Sequence, residues 1–406
     1  MAGDRVSVTY PLGFRAAGVT AGFKASGLPD LGLLVGEPGT RAAALFTTNS
    51  VQAAPVEVGR DRVARGHVRA VLVNSGQANA ATGLRGIDDA IVTSASASAL
   101  LGADADEVLP CSTGVIGEPL HVDSMSAAMP GLVEALSADS VGGEAFAKAI
   151  MTTDTVHKQA TADTAGGLRV GGCAKGVGMI APNLATMLAF VATDAAVAHD
   201  DLHRLAAECL APRFDALTVD GCTSTNDTVL LMASGAAGET PLTPGSAEWF
   251  ALAGAIDVVG DSLVSQLIAD GEGVTHVMIV DVEGAASDDD ARRIAKSVAD
   301  SPLVKTAVFG GDPNPGRFLQ AAGAAGVAFD PSSLGVWVGG VGVAKGGVIP
   351  PGYFEPASAL AHEARAAMKE AEIQVRVRLG DGPGSSRAYG CDLSYEYVRI
   401  NGEYTT

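Results

Sequence analysis

Apolar residues recur along this chain in two rhythms, one with a period of two and one with helical spacing, and the two interleave from end to end. Alternation at 274–282 and 373–379 predicts half-buried strands with one apolar face. Continuous apolar runs at 42–47, 69–76, 187–192 and 229–233, each bounded by polar or glycine-rich residues, predict buried strands. Helical spacing predicts helices over 87–101, 123–136, 143–151, 200–217, 248–270, 288–300 and 356–371. Residues 5–10 predict a first strand broken by a turn at 13–18, and 305–309, 335–349 and 397–406 predict further short strands. The stretch 108–117 predicts a tight turn between apolar residues, and 161–167 a polar hairpin-like connection. Helices and strands alternate without a repeated βαβ period, and several strand pairs are set up to run antiparallel. The expected fold class is therefore α/β with mixed α+β layers, not a doubly wound parallel sheet. No internal repeat or low-complexity linker marks a domain boundary.

Composition narrows the function classes. The 406 residues carry a formal charge of −19, a field that repels nucleic acid and anionic membranes. The five cysteines are far apart and form no Cys-x-x-Cys, so neither a disulfide framework nor a zinc site is expected, and no other metal site is indicated. His199 and His203 stand four residues apart, a metal-compatible spacing, but lack a carboxylate partner in pattern and are expected to be solvated. Residues 1–20 lack an apolar signal core, and no apolar run approaches the ~18 residues that cross a bilayer. A reducing cytoplasm is the expected compartment.

The candidate chemistry centres on 171–188. A glycine-rich segment carries Lys175, a polar turn follows at 181–183, and Thr186 stands at the head of an apolar run. Residue chemistry leaves two readings open: a β-branched residue opening a strand, or a hydroxyl nucleophile. Cutting the Ala185–Thr186 bond would free an α-amine with a reference pKa near ~8, a base for the hydroxyl of the same residue. Thr113 and Gly114 also have two readings, a structural turn or donors aimed at a developing negative charge. Residues 151–154 are either a helix cap or a substrate wall, and Glu272, between two glycines, is expected to be exposed. No Gly-x-Ser-x-Gly, Walker-A or dinucleotide-binding fingerprint is present.

A further pattern is carried by blocks in fixed order. They include Asn74-Ser75-Gly76, Cys111-Ser112-Thr113-Gly114, Met151-Thr152-Thr153-Asp154, Ala174-Lys175-Gly176, Ala185-Thr186-Met187-Leu188, Ser224-Thr225-Asn226-Asp227-Thr228 and Asp270-Gly271-Glu272-Gly273. In these the chain resembles the ornithine acetyltransferase (glutamate N-acetyltransferase) family of arginine biosynthesis. The resemblance implies the DmpA/ArgJ-like, N-terminal-nucleophile type of fold, with two interleaved chains after self-cleavage between Ala185 and Thr186. Residues 1–185 would be the α chain and 186–406 the β chain, assembled as an α2β2 heterotetramer. It also implies Thr186 as nucleophile, Thr113 and Gly114 as oxyanion donors, and Thr152, Lys175, Thr186, Glu272, Asn401 and Thr406 as substrate contacts. The implied substrates are N2-acetylornithine and glutamate, with no cofactor; whether acetyl-coenzyme A is also a co-substrate is left open by these residues. The chain departs from the family pattern at Pro315, where Trp is usual, and at His276, where Lys is common.

Overall fold

The computed structural model describes residues 6–181 and 187–403. The chain begins with β1 (Phe14–Val19), β2 (Leu31–Gly36), β3 (Arg41–Phe46), α1 (Ala54–Arg65), β4 (Ala70–Gln77) and α2 (Gly83–Leu101). It continues through β5 (Val108–Val115), α3 (Val122–Glu134), α4 (Ser140–Ala149), β6 (Lys158–Asp163), β7 (Arg169–Lys175) and β8 (Leu188–Thr193). Next come α5 (His199–Leu205), α6 (Ala211–Phe214), β9 (Thr228–Ala233), α7 (Ala247–Ala269), β10 (Val277–Ala285), α8 (Asp288–Asp300) and α9 (Pro302–Phe309). The last elements are α10 (Pro315–Gly323), β11 (Gly335–Val338), β12 (Val341–Ala344), α11 (Ala359–Ala367), β13 (Glu372–Arg378), β14 (Gly384–Cys391) and α12 (Tyr395–Glu403).

The strands form three sheets, ordered β1-β2-β4-β5, β3-β9-β8-β7-β6 and β12-β11-β13-β10-β14. The first two pack face to face, because both faces of their strands are apolar. In β4, Val71 and Val73 point into the inter-sheet core with Phe190, Leu230 and Met232, while Ala70 and Leu72 point outward beneath Met125, Met129 and Leu132. Period-two alternation thus divides one strand between two cores. On the far side of the second sheet, α7 lays Leu252, Ile256, Val259 and Leu263 against the strands. The result is helix, sheet, sheet, helix, the layered α/β arrangement expected. The third sheet has its own core, closed by Ile294, Val298 and Phe318 from α8 and α10.

Several local expectations fail. Residues 6–10 form turns and bends, and β1 occupies the expected turn instead. Its small residues are needed because a Cβ on Gly18 would lie 2.1 Å from the Ala145 carbonyl oxygen of α4. The stretch 108–115 is strand β5. Pro110 is tolerated there because β5 is an edge strand of its sheet. Residues 305–309 and 397–403 are helical, and Lys158–Asp163 is strand β6 where part of the polar connection was expected. α7 is long and apolar enough to cross a membrane by length and composition, against expectation, but half of it is buried inside the fold.

Strand pairing bears directly on the 185–186 bond. β7 and β8 pair antiparallel with Lys175 opposite Leu188, and β8 pairs in parallel with β9. Segments on either side of that bond therefore share one sheet. Ala185 and Thr186 themselves lie outside the described residues, as does Thr406.

Candidate active site

The ends of β5 and β7, the turn after α4 and the turn after α7 converge on one cavity of about 150 Å³. Thr113, Gly114, Thr152, Lys175, Glu272 and Asn401 all line it. The cavity lies at the C-terminal end of β5, where Gly114 stands opposite Gly76 of β4. Gly114 has φ +130°, and a Cβ there would sit 2.2 Å from the Gly76 carbonyl carbon, so only glycine fits. Asn226 braces this corner. Its Nδ2 donates to the carbonyls of Ala78 (2.6 Å) and Ser112 (2.9 Å), and its Oδ1 accepts from the Thr225 hydroxyl (2.6 Å).

Lys175 is 2% exposed, and its Nζ donates to Thr113 Oγ1 at 3.1 Å. No ion pair within 4 Å involves it among the described residues. Burial lowers its pKa; Asp154 pulls the other way, Lys158 lowers it further, and Glu272 and Asp227 oppose. With one neutral acceptor among the described residues, the ammonium has donors left for a ligand in the cavity that Lys175 lines.

Across the cavity Glu272 is buried, against the expectation of exposure. Its Oε1 accepts from Thr153 Oγ1 and its Oε2 from Asn401 Nδ2, each at 2.9 Å. Gly178 makes room, since a Cβ there would lie 2.3 Å from Glu272 Oε2. Asn401 comes from α12, which Tyr397 also fastens by donating its hydroxyl to Asp220 Oδ2 at 3.1 Å. The same Asp220 carboxylate accepts from the Met179 and Ile180 amides at 2.7 and 3.0 Å, fixing the loop that follows β7.

Two buried carboxyls differ in state. Burial would raise the pKa of Asp154, but Lys175, Lys158 and the Gly176 N–H outweigh it, so the group is held below the ordinary carboxylate value. Asp227 goes the other way. Burial raises it well above that value, despite the Met187 amide donating to Oδ1 at 3.0 Å. Among the described residues no group of three His, Cys, Asp or Glu is arranged to hold a metal. His199 and His203 are half-buried, so only partly solvated, and meet edge to face at 4.7 Å between ring centres.

The model of the ArgJ family matches residues 15–406. The chain belongs to the ArgJ family. Its curated relatives include the arginine biosynthesis bifunctional protein ArgJ of Parasynechococcus marenigrum, 44% identical over 98% of this chain and 95% of the relative. The protein of that name from Mycolicibacterium paratuberculosis is 46% identical over 98% of this chain and 96% of the relative. Among solved structures, the ArgJ protein of Bacillus halodurans aligns with a TM-score of 0.50 and 39% identity, over 54% of this chain and 100% of that one.

Five residues singled out as substrate contacts or oxyanion donors, Thr113, Gly114, Thr152, Lys175 and Glu272, meet in the cavity, and Asn401 joins them from the other end of the chain. The surrounding polar frame carried no sequence signal of its own. Asp154, Asn226 and Asp227 lay inside blocks matching the family without an assigned part. Lys158, Asp220 and Tyr397 were missed, because nothing in their local pattern sets a site residue apart from a surface one.

Proposed function

We propose that this chain is a self-processing N-acetyltransferase that moves acetyl from N2-acetylornithine to glutamate. The observation that carries the reading is the buried, incompletely partnered Lys175 facing Glu272 across a cavity that also holds Thr113 and Gly114. Such a site complements a substrate with a carboxylate at one end and an ammonium at the other. Lys175 takes the α-carboxylate that acetylornithine and glutamate share, and Glu272 takes ornithine's side-chain ammonium.

In this mechanism the precursor is cut between Ala185 and Thr186, leaving residues 1–185 and 186–406 as two chains. Two features support the cut. β7 and β8, on either side of it, are paired in one sheet, so the pieces stay joined by a strand ladder. The solved Bacillus relative is a chain matched in full by 54% of this one, a share equal to residues 186–406. The Thr186 hydroxyl attacks the acetyl carbonyl carbon while its proton passes to the new α-amine. Thr113 and Gly114 stabilise the oxyanion, each such donor being worth ~10²–10³ in rate. The C–N bond breaks, the proton moves to ornithine's nitrogen, and an acetyl-Thr186 ester remains. Glutamate's amine then takes the acetyl group and the Thr186 hydroxyl is restored, a ping-pong cycle that exchanges one amide for another without a nucleotide. Thr152, Asn401 and Thr406 complete the substrate contacts, and the two chains associate as α2β2.

Intact-mass measurement of purified protein is expected to give two chains split at Ala185/Thr186, and Thr186→Ala a single inactive chain. A fully active uncut species would refute the nucleophile. Acetylornithine is expected to lose acetyl at a useful rate only when glutamate is present; acetate release without glutamate would make the protein an amidase. Running the same assay with acetyl-coenzyme A as donor tests whether this chain has the second activity that the word bifunctional gives its relatives.

A further inference from the structure

Three separate segments bring Thr152, Thr153, Lys175 and Glu272 to the cavity wall: the turn 152–154, the end of β7 with the loop 176–178, and the turn 270–272. They are far apart in sequence, and one buried lysine outside the cavity ties them together. Lys158 is 0% exposed, and its Nζ donates to Asp154 Oδ1 (2.7 Å), Asp270 Oδ2 (2.6 Å) and the Val156 carbonyl (3.2 Å). Three donors meet three acceptors, so the ammonium is fully used.

Each carboxylate it holds reaches a different wall. Asp154 Oδ2 accepts from the Thr152 amide at 3.0 Å, and Oδ1 from the Gly176 amide, next to Lys175, at 2.8 Å. Asp270 terminates α7 two residues before Glu272, and it is pinned by the Thr155 amide at 3.1 Å and by the Thr155 hydroxyl. Thr152 and Gly176 therefore hang from one carboxylate, Glu272 from the other, and Lys158 sets the separation.

We propose that the buried Asp154–Lys158–Asp270 triad is a positioning device that fixes the span from Lys175 to Glu272 and so makes the site selective for the length of its zwitterionic substrate. The inference rests on the reading of Lys175 and Glu272 as the two ends of that substrate. None of the three triad residues lines the cavity. Their effect is on the distance between groups that do, and in a rigid buried frame an error of one methylene length is enough to separate homologues.

The test measures kcat/KM for the Nα-acetyl derivatives of diaminobutyrate, ornithine and lysine, which differ by one methylene each. Wild-type enzyme is compared with Lys158→Met and with Lys158→Met/Asp270→Asn. The double variant removes one cation and one anion together, which leaves the net charge of the triad unchanged, and its folding is checked by thermal melting. Wild type is expected to prefer the ornithine derivative by about 10-fold or more over each neighbour. The folded double variant is expected to lose most of that preference, through a raised KM for the ornithine derivative with a smaller change in kcat. Acylation by acetylalanine, which has no side-chain ammonium, is expected to change less. A folded double variant that keeps the wild-type preference overturns the proposal and leaves the functional reading standing. Wild-type enzyme that deacetylates none of the three donors refutes the functional reading and the length selection with it.

Discussion

Two lysines lie buried in the same neighbourhood and are treated in opposite ways. Lys158 has each of its three donors matched, two of them by carboxylates. Lys175, 2% exposed, has a single hydroxyl partner among the described residues. A buried cation is tolerated when its charge and donors are met and is costly when they are not. Lys158 is therefore a structural cation, whereas Lys175, under the proposed function, keeps donors for the substrate carboxylate. Completeness of partnering, more than burial or residue type, separates framework from function here.

The contrast is broken most severely at Lys158. Lys158→Met strands two carboxylates in the interior and is expected to cost about 3–5 kcal/mol of stability, measured by urea unfolding. Lys175→Met should cost less. It removes a buried charge with no ion-pair partner within 4 Å among the described residues, but also the cation that most favours the ionised Asp154, so its midpoint should fall less than that of Lys158→Met, while kcat/KM with acetylornithine falls about 10²–10³-fold through loss of the carboxylate partner. A Lys175→Met protein with wild-type kinetics would remove the assigned role. Asn226→Ala leaves the Ala78 and Ser112 carbonyls without their donor and should cost about 2 kcal/mol, with kcat lowered more than KM is raised because the Gly114 corner loosens. Glu272→Gln should raise KM for acetylornithine about tenfold and leave the acylation half-reaction with acetylglutamate, which involves no ornithine, much less affected.

The smallest effect is on pH. Burial holds the folded pKa of Lys175 below the ordinary lysine value of 10.5. The unfolded chain thus binds more protons between those two values, and the destabilising contribution, full below the folded pKa, disappears as pH rises toward 10.5. Subtracting the Lys175→Met stability curve from that of wild type should leave a difference that closes over this window; a flat difference would show that Lys175 is not perturbed.

The fold was legible where pattern and caps agree. The helix Asp288–Asp300 follows from Ser287, whose side chain accepts from the Asp290 amide, three acidic residues in the first turn and an apolar stripe. The strand Glu372–Arg378 shows its strict in–out alternation. Errors fell where small residues or short runs hide the period. β1 was hidden by Ala and Gly that exist to admit α4, and β14 by its Gly and Ser content. α9 has only eight residues, too few to tell helix from strand by apolar pattern, although Ser301 and Pro302 mark its start. At the site, Lys175, Thr113 and Glu272 emerged from their resemblance to family blocks. The residues that aim them did not, because Lys158 and Asp270 are 112 positions apart and their pairing exists only once α7 has packed on β6.

The closing helix has a practical consequence. No residue of α12 is buried, and its hold on the body includes the Tyr397–Asp220 and Asn401–Glu272 hydrogen bonds and Ser394 Oγ donating to the Gly273 carbonyl. Its amides should exchange with deuterium well ahead of those in β8 or β9, through openings that leave the three sheets intact. A fusion partner pulling on this helix would load an exposed element that also supplies part of the cavity wall. Such a product should melt normally and still work poorly.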